Sequence, residues 1–109
     1  MGLRNLPTDV ARPLTSLIDD AEPGRVSSRS LTRLSDVCQI MLLSFAAGES
    51  VSDEEYPADT MYYLLEGCAG ITFAQEGRAP VPLAAGEVLL VPAGVRHAVE
   101  PAGAIKLLQ

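Results

Sequence analysis

Residues 86–97 read Gly-Glu-Val-Leu-Leu-Val-Pro-Ala-Gly-Val-Arg-His, and this stretch decides the fold. Residues 87–91 are rich in β-branched and aliphatic side chains, which favour a strand. Pro92 fixes the backbone that enters a tight turn, and Gly94 permits a positive φ. His97 then opens the next strand. Because three requirements at fixed offsets rarely coincide by chance, the stretch predicts a strand, a turn and a second strand that starts at the histidine.

Short segments with a period of two residues flank this stretch on both sides. We expect strands over residues 25–34, 37–45, 61–65, 68–74, 81–83, 87–91, 96–99 and 104–108. The second has apolar residues on both faces and suits the centre of a sheet, whereas prolines around residues 81–83 suit an edge. Turn residues recur about every ten positions, so the pattern predicts one all-β barrel or sandwich of about eight strands. The acidic residues 49–59 are expected to form a loop.

The segment before the first strand has a different pattern. Apolar residues recur at helical spacing between residues 14 and 18, and Glu-Pro-Gly at residues 22–24 ends this pattern. We therefore expect residues 1–24 to form an N-terminal arm with a short helix or turn, and residues 25–109 to form the barrel domain. A chain of 109 residues supplies enough interior for one core only.

Composition and charge exclude several kinds of partner. The chain has 14 acidic and 8 basic residues, a formal net charge of −6. No cluster of Lys and Arg could follow a phosphate backbone, so we expect neither nucleic acid nor an anionic membrane as a partner. The apolar residues 37–47 are too few to span a bilayer, and no secretory signal pattern opens the sequence, so the expected location is cytoplasmic.

The two cysteines, Cys38 and Cys68, lie far apart in the sequence. They lack the short spacings of a zinc finger or a redox pair. We expect two free thiols that are mostly buried, because free cysteine packs as a small apolar residue.

The pattern Gly86-x5-Pro92-x-Gly94-x2-His97 resembles the second sequence motif of the cupin superfamily. The similarity extends over residues 22–109 and is greatest to small single-domain cupins of uncharacterised function. This resemblance implies a jelly-roll barrel, also called a double-stranded β-helix, in which His97 faces the interior. It also implies a homodimer.

The first cupin motif can be aligned with residues 48–67, where both of its glycines coincide with glycines of this chain. Its metal ligands do not coincide. Glu54 and Tyr56 stand where the family has two histidines, and Thr60 stands where it has a glutamate. Of the usual three histidines and one glutamate, only His97 remains.

Glu54 and His97 are the candidate ligands for a divalent transition metal, Zn, Fe, Mn or Ni. Catalytic zinc has three protein ligands and structural zinc has four, so two are too few for firm binding. A further oxygen is available from Asp53, Glu55, Tyr56 or Asp59. We expect no firmly bound cofactor unless one of these converges with the first two.

The leading hypothesis is a barrel that binds an unidentified small molecule in its interior. The candidate ligand-binding residues are His97, Glu54, Tyr56, Thr60 and Tyr62. If acid–base chemistry occurs, His97 is the first candidate because imidazole titrates near neutral pH, and Glu54 is its natural carboxylate partner.

Two alternatives stay open. The first is a metal-dependent cupin enzyme, of dioxygenase or isomerase type, that uses His97 and Glu54. The second is a structural or interaction module whose interior is filled by large side chains. The apolar residues Ile105 to Leu108 could instead pair across a dimer, since association removes an exposed apolar edge strand.

Overall fold

The protein folds into two antiparallel β-sheets. The computed structural model describes residues 3–33 and 38–109, without the side chains of residues 51–53. Within this part, a 3-10 turn at Leu14–Leu17 precedes nine strands. They are β1 (Val26–Ser30), β2 (Met41–Phe45), β3 (Val51–Glu54), β4 (Thr60–Glu66), β5 (Cys68–Phe73), β6 (Val81–Ala84), β7 (Val88–Val91), β8 (His97–Pro101) and β9 (Ile105–Leu108).

The chain passes repeatedly from one sheet to the other. One sheet has the order β1-β2-β9-β4-β7, and the other has the order β3-β8-β5-β6. Buried side chains from both sheets meet in one core, which includes Phe45 and Leu107 from the first sheet and Ile71 and Val99 from the second. The expected jelly-roll barrel is confirmed.

The strand predictions need three corrections. β1 ends at Ser30, before the end of the strand predicted over residues 25–34, and Leu34 lies outside the described residues. β2 begins only at Met41, because Cys38 lies in a bend and residues 39–40 are irregular, while Val37 lies outside the described residues. The predicted loop at residues 49–59 contains β3. This segment is too acidic and too poor in apolar residues to indicate a strand by itself. It forms a strand because its backbone pairs with β8.

The last strand does not lie at an edge. β9 pairs with β2 on one side and with β4 on the other, and Ile105 and Leu107 are buried. The idea that this strand is an exposed edge that pairs across a dimer is therefore wrong. The prediction for residues 81–83 is confirmed, because β6 lies at the edge of its sheet.

The N-terminal arm covers the outer face of the five-stranded sheet. Its apolar residues pack with residues beneath them in a group that we call the outer cluster: Leu17, Ile18, Leu31 and Leu42. Lys106 of β9 binds the arm to the sheet. Its Nζ donates to the Thr15 carbonyl at 3.0 Å and lies 3.4 Å from Oδ1 of Asp20. The short helix or turn expected in this segment is present as the 3-10 turn.

Both cysteines are free, as predicted, but both are exposed rather than buried. Cys68 follows the tight turn at Gly67, and Cys38 lies in the bend before β2, so neither reaches the core. In the described part of the chain, no helix has the length and the apolar character needed to cross a membrane.

Candidate functional site

The turn between β7 and β8 anchors the segment that follows β3. Gly94 has a φ of 76°, in the left-handed region that favours glycine. Its backbone N–H donates to the Tyr56 carbonyl at 2.8 Å, and the N–H of Ala93 donates to Oδ1 of Asp59 at 2.9 Å. The turn of the second-motif segment therefore binds residues 56–59. These residues belong to the segment that aligns with the first cupin motif but lacks its histidines.

His97 begins β8 and is only 2% exposed. Its Nδ1 lies 2.9 Å from the Val95 carbonyl, and its Nε2 lies 2.7 Å from the hydroxyl of Tyr62. Because a carbonyl can only accept, Nδ1 carries the proton, and in the neutral imidazole Nε2 accepts the hydrogen of Tyr62. Both ring nitrogens are thus engaged by neighbours within the fold.

A cavity of about 270 Å³ opens beside this pair. Its walls are mostly apolar and come from β1, β2 and β8: Val26, Met41, Leu43, Phe45 and Val99. Four polar side chains lie together at one end, which we call the polar end: Glu54, Tyr56, Tyr62 and Gln109. Ser28 completes the lining. His97 is not among the lining residues and lies behind Tyr62.

The polar end is internally hydrogen-bonded. Nε2 of Gln109 donates to the hydroxyl oxygen of Tyr56 at 3.2 Å and to that of Tyr62 at 3.4 Å. Tyr56 also interacts with the Glu54 carboxylate, which contributes to the raised pKa of the phenol.

The two phenols at the polar end resist ionisation. Burial, followed by the hydrogen bond to Glu54, raises the pKa of Tyr56 above its ordinary value of 10.0. Burial, followed by the nearby charges of Tyr56 and Glu54, raises the pKa of Tyr62 further. Both side chains therefore keep their hydroxyl hydrogens at neutral pH.

The predicted site residues are brought together only in part. Glu54, Tyr56 and Tyr62 line the cavity side by side, and His97 supports Tyr62 from behind. Thr60 begins β4 opposite Val91 and is not one of the cavity-lining residues. Although Glu54 and His97 are register partners across β3 and β8, the ring nitrogens bond Tyr62 and Val95 instead. In place of the expected pairing with a carboxylate, the imidazole bonds the Tyr62 hydroxyl and the Val95 carbonyl.

Sequence reasoning missed Gln109, although a signal for it exists. Ile105 and Leu107 are buried, and Gln109 continues the same alternation two residues further along. Its backbone pairs with Met41 at 2.9 and 3.1 Å, which extends the pairing of β9 with β2. The amide is therefore directed to the inner face of the sheet, where it joins the two phenols.

The side chains that the structure describes do not fit a divalent transition metal. Among the residues whose side chains are described, no three His, Cys, Asp or Glu side chains form a group that could hold one. His97 offers no free lone pair, because one nitrogen carries a proton and the other accepts from Tyr62. Glu55 is exposed, Asp59 bonds the turn, and the Asp53 side chain lies outside the description.

Solved structures resemble this chain over almost its whole length. A cupin superfamily protein from Desulfitobacterium hafniense is 44% identical with a TM-score of 0.90, and the match covers 99% of this chain and 94% of that one. A conserved protein of unknown function from Streptococcus pyogenes is 28% identical with a TM-score of 0.86, over 99% of this chain and 90% of that one.

A cupin 2 conserved barrel domain protein from Leptotrichia buccalis is also similar. It is 25% identical with a TM-score of 0.76, and the match covers 87% of this chain and 44% of that one. No protein-family model matches the sequence, and a search of curated proteins returns no match. The identity and coverage shared with the Desulfitobacterium protein, together with the jelly-roll topology, show that this chain belongs to the cupin superfamily.

Proposed function

We propose that this cupin barrel binds a small molecule in the cavity beside Tyr62. The observation that carries the proposal is the shape of this cavity, with apolar walls and four polar side chains gathered at one end. Ligand sites in proteins combine a mostly apolar lining with a few convergent polar groups that set orientation. In this proposal the apolar walls hold the body of the ligand, and the polar end holds its polar group.

The size of the cavity suits a ligand that contains one six-membered ring. At about 270 Å³ it lies just below the range of about 300–1,000 Å³ usual for drug-sized ligands. An engineered apolar cavity of about 150 Å³ in another protein binds benzene. A benzyl compound with one polar group therefore matches both the volume and the division into apolar and polar parts.

Each polar residue has a distinct role in this proposal. Glu54, Tyr56, Tyr62 and Gln109 contact the ligand. His97 is a positioning residue, since it orients the Tyr62 hydroxyl without facing the cavity. Binding is proposed rather than metal-dependent catalysis, because a dioxygenase or isomerase built on His97 and Glu54 needs a third ligand. A purely structural module is disfavoured because large side chains would then fill the interior.

A titration with benzyl alcohol tests the proposal. We expect saturable binding to the wild-type chain, followed by ligand-observed NMR and calorimetry. Leu43→Phe places a larger side chain in the cavity wall and should weaken binding by about tenfold or more, the usual effect of losing a well-packed contact. The matched control is Leu3→Phe, since Leu3 is 58% exposed and does not line the cavity. Failure of benzyl alcohol to bind the wild-type chain would contradict the proposal.

We also propose a homodimer, which the family resemblance implies. The support in the fold is an apolar strip at the edge strand β7, where Val88 and Leu90 are exposed beside Met61 of β4. An exposed apolar edge is a liability that association removes. Size-exclusion chromatography with light scattering should give the mass of two chains, and a monomer at high concentration would count against the dimer.

A further inference from the structure

Most hydroxyl and amide hydrogens at the polar end of the cavity are already engaged within the fold. The hydrogen of Tyr62 points to Nε2 of His97, because Nδ1 already donates to Val95. The Tyr56 phenol interacts with the Glu54 carboxylate, which raises the pKa of the phenol. The two N–H bonds of the Gln109 amide point to the two phenol oxygens.

What remains for a ligand is a set of acceptors. Tyr56 and Tyr62 present oxygen lone pairs, Gln109 presents its amide oxygen, and Glu54 presents carboxylate oxygens. A ligand that must accept hydrogen bonds would compete with Glu54 for the Tyr56 hydrogen, would find the Ser28 hydroxyl as the further donor among the described lining residues, and would leave most of these acceptors unpaired. Such mismatches are costly in a partly desolvated site.

The charge at the polar end also favours a ligand that donates hydrogen bonds. Glu54 is the only Asp, Glu, Lys or Arg among the described residues that line the cavity, so it contributes a negative charge with no positive charge beside it. An anionic ligand would be repelled, and a cationic ligand would neutralise the carboxylate. Hydrogen bonds between ionised groups are roughly twice as strong as those between neutral groups.

We infer that the ligand of this cavity is a small primary amine, bound as its ammonium ion, with a short apolar body. This inference rests on the proposed function, and it adds the chemical class of the ligand. The three hydrogens of an ammonium group match the acceptors around Glu54, Tyr56 and Tyr62. The apolar body lies against the walls formed by β1, β2 and β8.

Three probes of one shape test this inference: benzylamine, benzyl alcohol and benzoate. We expect wild-type affinity to fall in that order, with benzylamine about tenfold or more tighter than benzyl alcohol, as for a hydrogen bond to a charged group. Benzoate should bind most weakly. Glu54→Gln keeps the shape of the side chain and removes its charge, so it should remove most of the preference for benzylamine while benzyl alcohol still binds.

A matched control separates the site from general attraction. The chain has a net charge of −6, which attracts any cation weakly. Glu100→Gln makes the same charge change on an exposed residue of β8 that does not line the cavity, so it should leave the preference intact. Raising the salt concentration should reduce the preference less than Glu54→Gln does.

The outcomes distinguish the two proposals. If benzyl alcohol binds and benzoate binds as tightly as benzylamine, the amine inference is overturned and the cavity proposal stands. If the preference for benzylamine survives in Glu54→Gln, or is lost in Glu100→Gln, the inference is also overturned. If none of the three probes binds the wild-type chain, both proposals fail.

Discussion

Strand β2 has two faces that meet very different surroundings. On the outer face, Leu42 is fully buried beneath Leu17 and Ile18 of the N-terminal arm. On the inner face, Phe45 belongs to the main core, whereas Met41 and Leu43 border the cavity. The same five residues thus contribute a fully covered surface on one side and a surface that borders a cavity on the other.

The polar groups on the two sides also differ in their partners. Lys106, on the outer side, bonds a backbone carbonyl and lies near two carboxylates, which holds the arm in place. On the inner side, Gln109 donates to Tyr56 and to Tyr62, and all three residues contribute to the cavity lining. The outer side therefore stabilises the fold, whereas the inner side is arranged to receive a ligand. Substitutions on the two sides should separate stability from binding.

Leu42→Ala should have the largest effect on stability. Removing a fully buried side chain from the outer cluster should lower the free energy of unfolding by about 2–5 kcal/mol. Urea unfolding measures this loss. The exposed Leu3→Ala should change the free energy of unfolding by about 0.5 kcal/mol or less. If the folded Leu42→Ala protein binds benzylamine differently from the wild-type chain, the proposed division between the faces is wrong.

His97→Leu should change both stability and selectivity. It leaves the Tyr62 hydroxyl and the Val95 carbonyl without their partner, which should cost about 1–3 kcal/mol. It also frees the phenol hydrogen to turn towards the cavity, so the preference for benzylamine over benzoate should narrow. Calorimetry with both probes measures this change. Leu42→Ala, which also loses stability, should keep the preference, and an unchanged preference in His97→Leu would refute the positioning role.

Alkaline pH should destabilise the protein through Tyr62. Its pKa in the folded state is raised above the ordinary value of 10.0, so above about pH 10 the unfolded chain binds fewer protons than the folded one. The stabilising contribution is complete below pH 10 and is lost as the pH rises, by up to about 1.4 kcal/mol per pH unit. Tyr62→Phe should therefore show a shallower fall in urea unfolding experiments above pH 10. Equal slopes for the two proteins would contradict this assignment.

Among the substitutions of packed side chains, Lys106→Met should have the smallest effect on the free energy of unfolding. The variant keeps the apolar stem and loses the bond to the Thr15 carbonyl, so we expect a loss of about 1–2 kcal/mol. The exposed partners Asp20 and Glu66 should add little to this value. Thermal unfolding measures the change, and benzylamine affinity should stay the same. A loss of affinity comparable to that of Glu54→Gln would show that the two faces are coupled.

Local signals were sufficient for most of the fold. Alternation predicted that both faces of β2 are apolar, and the turn at Pro92 and Gly94 predicted that a strand starts at His97. They were insufficient for β3, whose acidic residues form a strand only because β8 supplies a partner. They also failed for β9, since nothing local indicates that two strands distant in sequence flank it.

The residue types and their spacing predicted an all-β barrel or sandwich with His97 at the start of a strand after a tight turn and, through the resemblance to the cupin superfamily, a jelly-roll barrel that has lost the other imidazoles. They could not show that Tyr62, rather than Glu54, bonds His97, or that Gln109 joins the polar end. The reason is physical: the direction of a hydrogen bond depends on which donors and acceptors lie within about 3 Å in space. Only the packed sheets bring residues from β3, β4, β8 and the end of β9 to that distance.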